Sequence, residues 1–222
     1  MSAAAWGRCC LLLPAFLGVL ASTRGPIAAK LGVPLSCACI LVGVHLREWP
    51  VRRDLWALAA ALGFSAAGDW FLSNRGGRES YFLVGIALFF CAHLGYLGFS
   101  LCHGRLSRGG LGLLLVVFVP YFGIALWPRI GSGALALAVF LYLLISCVAL
   151  AGALGLRLER AAYTAYVAGM VLIVFSDTLI SFNEFLRYRA WNSWILPTYY
   201  LAHLCVTWAA MGLRSEAARK HE

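Results

Sequence analysis

Long apolar runs separated by short polar loops dominate the pattern of this chain. Most of the runs are close to the roughly 17–25 residues that a helix needs to cross a bilayer, while the first two are short and need their flanks. The eight runs cover residues 9–22, 31–46, 55–72, 81–102, 111–127, 134–154, 163–182 and 191–213. The loops between them are rich in Gly, Pro, Arg and Asn. The pattern predicts an all-α polytopic membrane bundle of eight transmembrane helices, forming a single domain over residues 1–222.

Two short matches indicate an internal duplication. The third and seventh runs contain Asp69 and Asp177, each followed four residues later by a serine. The fourth and eighth runs both contain the tripeptide Ala-His-Leu, centred on His93 and His203. Because both pairs are separated by nearly the same distance in sequence, they favour two parallel four-helix repeats, residues 1–105 and 106–222. Chance similarity between apolar helices is the alternative.

The composition agrees with a membrane protein. Hydrophobic residues make up 62% of the 222 residues and charged residues 12%, whereas a soluble domain has roughly 45–50% and about 25%. These values exclude soluble enzymes, disordered chains, collagen-like chains and secreted disulfide scaffolds. The eight cysteines lie in or beside apolar runs and form no CxxC pair, so they are interpreted as small hydrophobic residues.

The net charge of +9 would suggest nucleic acid as a partner for a soluble domain. Here the basic residues form short clusters between apolar runs, without interleaved aromatic residues, so no nucleic-acid binding is expected. One side of the predicted bundle holds Arg8, Arg47, Arg52, Arg53, Arg105, Arg108, Arg157, Arg160, Arg214, Arg219 and Lys220. The other side holds Arg24, Lys30, Arg75, Arg78, Arg129, Arg187 and Arg189. The positive-inside rule therefore predicts that both termini are cytosolic.

Acidic residues inside the apolar runs are the strongest functional signal. Of the nine acidic residues, only Asp69 and Asp177 lie within runs. The other seven, Glu48, Asp54, Glu79, Glu159, Glu184, Glu216 and Glu222, lie in loops, at helix ends or in the tail. An intramembrane carboxylate costs a few kcal/mol to insert, so such groups normally face a bundle interior or a wet cavity and mark function. Both aspartates are predicted at similar depth, in the non-cytosolic half.

Polar side chains extend each of four runs into a stripe at helical spacing. Examples are His93 with Tyr96, and Tyr200 with His203. Interhelical hydrogen bonds, worth about 0.6 kcal/mol each, would explain isolated serines and threonines. Two aspartates with two histidines nearby favour a functional cavity instead.

Other known site chemistries find little support in the sequence. HExxH, GxSxG and phosphate-loop motifs are absent, so no metal or other cofactor is expected. Lys30 is the only lysine outside the tail. Its ammonium could bind a lipid phosphate or merely reach the headgroup layer.

Several residue groups resemble the lysoplasmalogenases of the YhhN-like transmembrane protein 86 family. The resemblance covers nearly the whole chain and rests on Gly68-Asp69, Gly85, Phe89, Ala92-His93, Tyr96, Ser176-Asp177, Asn183 and Tyr199-Tyr200. It implies hydrolysis of the vinyl ether bond of lysoplasmalogens, giving a fatty aldehyde and glycerophosphoethanolamine or glycerophosphocholine, in the endoplasmic reticulum membrane. The implied partner is a lysophospholipid within the membrane, and a homo-oligomer is left open.

The residues suit that chemistry. Vinyl ethers hydrolyse by protonation at carbon, followed by capture of the oxocarbenium ion by water. We expect one of Asp69 and Asp177 to donate the proton, while the other stabilises the cation and activates water. His93 and Tyr96 would orient the pair or the ether oxygen, and Lys30 would bind the phosphate. Asn183, Tyr200 and His203 are further substrate-binding candidates; the resemblance assigns no role to His203.

Three alternatives belong to other classes. A small-solute or lipid transporter, or a receptor-like bundle, would also contain intramembrane aspartates and a parallel repeat. A metal-dependent lipid hydrolase would use the two aspartates with His93 and His203. A purely structural interaction protein would need neither aspartate.

Overall fold

Helices form the regular structure of the computed structural model, which describes residues 3–22, 27–46 and 52–213. Within these ranges the only strand-like feature is a single bridge between Gly104 and Leu156. The helices are α1 (Ala3–Cys10), α2 (Leu12–Ser22), α3 (Ile27–Val44), α4 (Arg53–Ser73), α5 (Glu79–His103), α6 (Arg108–Pro120), α7 (Gly133–Leu154), α8 (Arg160–Glu184) and α9 (Asn192–Met211). A π-helical segment, Tyr121–Leu126, and a 3-10 turn, Trp127–Arg129, continue α6. The predicted all-α class is confirmed.

Six of the helical segments are long and apolar enough to cross a membrane: α3, α4, α5, α6 with its continuation, α7 and α8. The chain is thus a multi-pass membrane protein. The apolar helix at the first predicted run, Trp6–Ser22, is shorter than these six, and a turn at Leu11 divides it between α1 and α2. The eighth run corresponds to α9, which buries several polar side chains and is not among the six. The count of eight crossings stays a prediction.

Two helix pairs, α4 with α5 and α8 with α9, form the most extensive contacts in the described ranges. Glycines allow the close approach in both pairs. A Cβ atom on Gly95 of α5 would lie 2.5 Å from the carbonyl oxygen of Ala57 on α4, and one on Gly169 of α8 would lie 2.9 Å from that of Ala202 on α9. Small residues at such contacts let membrane helices pack backbone to backbone. These are the pairs that the predicted repeat would relate; the repeat itself stays a prediction.

The helix α6 differs from the others because none of its residues is buried. It packs mainly on α7, and its valines and leucines, such as Val116 and Leu113, are largely exposed. In a membrane protein these exposed apolar side chains face lipid.

A charged cluster ties the start of α4 to the end of α5. The buried Asp54 carboxylate accepts a hydrogen bond from Arg52 at 2.8 Å, and His103 Nε2 lies 2.8 Å from the same oxygen. This cluster is at the opposite end of α4 from Asp69.

Several residues used in the charge predictions lie outside the described ranges. They are Arg24, Arg47, Glu48, Arg214, Glu216, Arg219, Lys220 and Glu222, and both chain ends belong with them. The orientation stays a prediction.

Candidate active site

A cavity of about 300 Å³ lies where the C-terminal halves of α4 and α8 meet the N-terminal halves of α3, α5 and α9. We call it the polar cavity. Its lining residues are Lys30, Asp69, Leu72, Ser73, Arg75, Phe89, Ser176, Asp177, Ile180, Asn183, Glu184, Ile195, Leu196, Tyr199 and Tyr200. The structure thus brings both intramembrane aspartates to one cavity, together with three of the predicted substrate-binding residues.

Glycine next to Asp69 explains part of the local arrangement. A Cβ atom on Gly68 would lie 2.8 Å from the ring of Phe89, so only glycine lets this ring lie directly on α4. The Phe89 carbonyl oxygen accepts a hydrogen bond of 2.9 Å from the ring of His93, which lies one turn later on α5. The Gly68-Asp69 pair and the Phe89 to His93 segment therefore depend on one another for their position.

Asp177 is held by residues from two neighbouring helices. The Tyr142 hydroxyl on α7 donates a hydrogen bond to Asp177 Oδ2 at 2.7 Å, and His93 Nε2 lies 3.9 Å from the same oxygen. Because a carbonyl oxygen can only accept, the contact with Phe89 assigns the proton of the neutral His93 ring to Nδ1. Nε2 then carries a lone pair that no hydrogen bond satisfies.

Tyr142 was not among the predicted site residues. It is a lone tyrosine in the very apolar sixth run, with Ser146 one turn later. The four-residue spacing of Tyr142 and Ser146 is typical of a polar helix face, like the spacing that identified the polar faces of the other helices. It could have indicated that Tyr142 belongs to the site. The sequence could not show that Tyr142 faces Asp177.

Asp69 has a different environment. Its Oδ2 atom is buried without a hydrogen bond, and so is the hydroxyl of Tyr199. Lys30, Tyr199 and Asp177 line the same cavity as Asp69. Two carboxylates that oppose each other in a buried site favour a state in which one keeps a proton. A pair of this kind can give up a proton at one carboxyl group and accept a proton at the other.

Charged residues at the polar cavity form a second pair that the sequence prediction missed. Arg75 binds Glu184 through two hydrogen bonds of 2.8 Å, one to each carboxylate oxygen. Asn183 donates to Glu184 at 3.3 Å and accepts from Asn192 at 3.1 Å. Because Glu184 neutralises Arg75, Lys30 is the cavity cation without an ion pair among the described residues. The sequence feature that could have predicted this pair is the opposite charge of Arg75, just after α4, and Glu184, at the end of α8.

Tyr96 and His203 lie behind the cavity wall and not in its lining. Both are fully buried, and the Tyr96 hydroxyl is 3.3 Å from His203 Nδ1. The His203 ring packs edge-on against Tyr199, with ring centres 4.4 Å apart. The Tyr96 backbone carbonyl accepts a hydrogen bond from Tyr166 at 2.9 Å. This arrangement supports Tyr199 from behind.

The ranges that the structure describes contain no group of three or more His, Cys, Asp or Glu side chains that could hold a metal ion. The polar cavity offers two aspartates and one glutamate, of which the glutamate is bound to Arg75. Among the described residues, the two aspartates are thus the cavity carboxyl groups that no arginine binds.

Comparison with known proteins identifies the relatives of this chain. The profile of the YhhN family matches residues 30–210. Lysoplasmalogenase TMEM86B from Sus scrofa is 33% identical over 152 residues, which are 68% of this chain and 61% of that protein. The chain therefore spans less than two thirds of the length of this relative. No solved structure gave a significant match. Since the family profile covers most of the chain, including every residue of the polar cavity, the chain belongs to the YhhN family.

Proposed function

We propose that this protein is a lysoplasmalogenase, a membrane hydrolase that cleaves the vinyl ether bond of a lysoplasmalogen. The observation that carries the proposal is the pair of intramembrane aspartates on one polar cavity, which Lys30 also lines. The name of the Sus scrofa relative supports the same activity. The products would be a fatty aldehyde and glycerophosphoethanolamine or glycerophosphocholine.

The reaction consumes one water molecule and returns both aspartates to their starting states. A carboxylic acid gives its proton to the vinyl carbon remote from oxygen, and the electrons of the double bond form the new C–H bond. Water then attacks the oxocarbenium carbon and gives a proton to the other carboxylate, which produces a hemiacetal. That second carboxyl group protonates the departing glycerol oxygen, while the first accepts the hemiacetal hydroxyl proton. The C–O bond breaks and the aldehyde is released.

The surroundings of each aspartate suit these steps. The Tyr142 hydroxyl stabilises the charge that develops on Asp177 when its proton leaves. His93 Nε2 has no hydrogen-bond partner and lies 3.9 Å from Asp177 Oδ2, so it would orient the acidic proton of Asp177 once the two side chains approach each other. Lys30 lines the same cavity as Asp69. In the proposed mechanism Asp69 is the carboxylate that accepts a proton from water and stabilises the cation.

The polar cavity also suits the substrate headgroup. The substrate phosphate would bind Lys30, the cavity cation without an ion pair, and Asn183 and the unpartnered hydroxyl of Tyr200 would contact the glycerol part. Tyr96 and His203 would not touch the substrate and would instead hold Tyr199 in position. The predicted orientation, with eight crossings in two parallel repeats, places this cavity on the lumenal side of the endoplasmic reticulum membrane.

Substitution of the aspartates tests the proposal. The variants Asp69→Asn and Asp177→Asn, purified in detergent, should release no aldehyde from a lysoplasmalogen, since each removes a proton donor or acceptor without changing side-chain volume. Glu79→Gln is the matched control, because Glu79 is exposed and outside the cavity. Normal activity of either aspartate variant would remove that residue from the mechanism. A wild-type protein that releases no aldehyde would refute the activity.

A further inference from the structure

Asp177 borders two apolar cavities in addition to the polar cavity. The first, of about 80 Å³, lies between α5, α7 and α8, and its wall includes Phe82, Ile86 and Phe185. The second, of about 60 Å³, lies between α6 with its π-helical continuation, α7 and α8. We call them the middle cavity and the inner cavity.

The three cavities form a series. The middle cavity shares Leu72, Phe89 and Ile180 with the polar cavity. It shares Val139, Tyr142 and Ser181 with the inner cavity. Asp177 is the one residue of the described ranges that lines all three. Along this series the charged and amide side chains give way, apart from Asp177, to a mostly apolar wall with a few hydroxyl groups. A lysolipid changes from polar to apolar in the same direction.

The inner cavity, which ends the series, lies close to the bilayer. Its outer wall is α6, which buries none of its own residues, and the π-helical segment that follows. A hydrogen bond of 2.7 Å between the hydroxyls of Tyr121 and Ser181 joins this wall to α8. π-Helical segments occur frequently at functional sites, where they break the regular packing of a helix. A hydrocarbon chain too long for the small cavities could continue past this segment into lipid.

We propose that the middle and inner cavities bind the alkenyl chain of the substrate, and that Asp177 is consequently the proton donor. This inference rests on the lysoplasmalogenase activity proposed above. The vinyl carbon that accepts the proton is the one bonded to the hydrocarbon chain, and the carbon that water attacks is bonded to the ether oxygen. With the chain in the middle cavity, the first carbon lies toward Asp177. The second lies toward the polar cavity, where Asp69 activates water.

Another groove could hold a chain. It lies between α2 and α9, has a volume of about 320 Å³ and includes Gly18 and Leu204 in its wall. It shares only Tyr200 with the polar cavity and does not reach Asp177. A lysolipid has one chain, so one route is sufficient. We assign the chain to the middle and inner cavities because this route passes Asp177, a candidate acid. Binding of the chain in the groove between α2 and α9 is the alternative that the experiments below can detect.

Chain-length selectivity tests the assignment. Val139 lines both apolar cavities, so Val139→Phe should fill them. Because each methylene excluded from an apolar site weakens binding about fourfold, displacing two of them raises KM about 15-fold. We expect this increase for a long-chain lysoplasmalogen and little change for an analogue with a propenyl chain. Val116→Phe is the matched control, since Val116 is exposed on α6 and lines none of the cavities.

The results distinguish failure of the proposed activity from failure of the chain-site assignment. Absence of aldehyde from wild-type protein with every chain length would refute the proposed activity. Aldehyde release by the wild type, with Val139→Phe affecting long and short chains equally or not at all, would overturn only the chain-site assignment.

A labelling experiment decides the question if Val139→Phe fails to fold. Wild-type protein is irradiated with a saturated 1-O-alkyl lysophosphatidylethanolamine that carries a diazirine a few carbons from the ether oxygen. The labelled peptides are then identified by mass spectrometry. Label near Phe118, Leu143 or Val174 supports the assignment, because these residues line the inner cavity. Label confined to α2 and α9 would place the chain in the groove and overturn it.

Discussion

The hydrogen bond between Tyr142 and Asp177 provides a sharp test of the mechanism. Tyr142→Phe removes the hydroxyl that donates to Asp177 Oδ2 at 2.7 Å. The phenyl ring keeps its edge-on contact with His93, whose ring centre is 5.1 Å away. The substitution therefore removes one hydrogen bond while retaining most of the local packing.

The expected decrease in kcat depends on the stage of the reaction at which the hydrogen bond between Tyr142 and Asp177 is strongest. If Asp177 is the acid, charge develops on its carboxyl group as the proton leaves, and the tyrosine hydroxyl stabilises the transition state more than the ground state. A hydrogen bond to a charged group contributes about 1.5–3 kcal/mol. That range corresponds to a decrease in kcat of roughly 10- to 150-fold. Because Tyr142 lies away from Lys30 and the headgroup, KM should change little.

The assay is aldehyde release by purified protein in detergent, over a range of lysoplasmalogen concentrations. Tyr166→Phe is the matched control, since it also removes a buried tyrosine hydroxyl, one that donates to the Tyr96 carbonyl at 2.9 Å and lines none of the cavities described here. It should lower thermal stability while kcat stays near the wild-type value. An unchanged kcat for Tyr142→Phe would refute the role of Asp177 as the acid. An equal loss in both variants would attribute the effect to packing.

The remaining predictions concern binding, stability and metal dependence. Lys30→Ala should raise KM roughly 10-fold or more through loss of a charge-assisted hydrogen bond to phosphate, and Lys30→Arg should restore much of it; an unchanged KM would exclude phosphate binding. Asp54→Asn should lower the free energy of unfolding by about 1–3 kcal/mol, because its partners Arg52 and His103 lose a charge, without changing kcat. Gly95→Ala should cost a similar 1–3 kcal/mol through overpacking against Ala57, which thermal unfolding in detergent would measure. A chelator should leave aldehyde release unchanged; loss of activity would favour the metal-dependent alternative.

The sequence by itself determined the helical membrane architecture and identified the two aspartates. Apolar runs of membrane-spanning length have few alternatives in lipid, because a helix satisfies its own backbone hydrogen bonds. A carboxylate within such a run is costly, so its presence is informative without a structure. For this reason Asp69 and Asp177 could be selected from nine acidic residues, and the structure brings them to one cavity.

Only the tertiary structure decided which side chains face these aspartates. Helical spacing shows which residues share a face of one helix, but the rotation of each helix and the choice of its neighbours depend on packing between helices. Tyr142 reaches Asp177 across that contact, and Glu184 reaches Arg75 in the same way. Packing also placed His203 behind Tyr199 instead of in the cavity wall. The pattern along the chain predicted the faces, and the packing of the helices determined their partners.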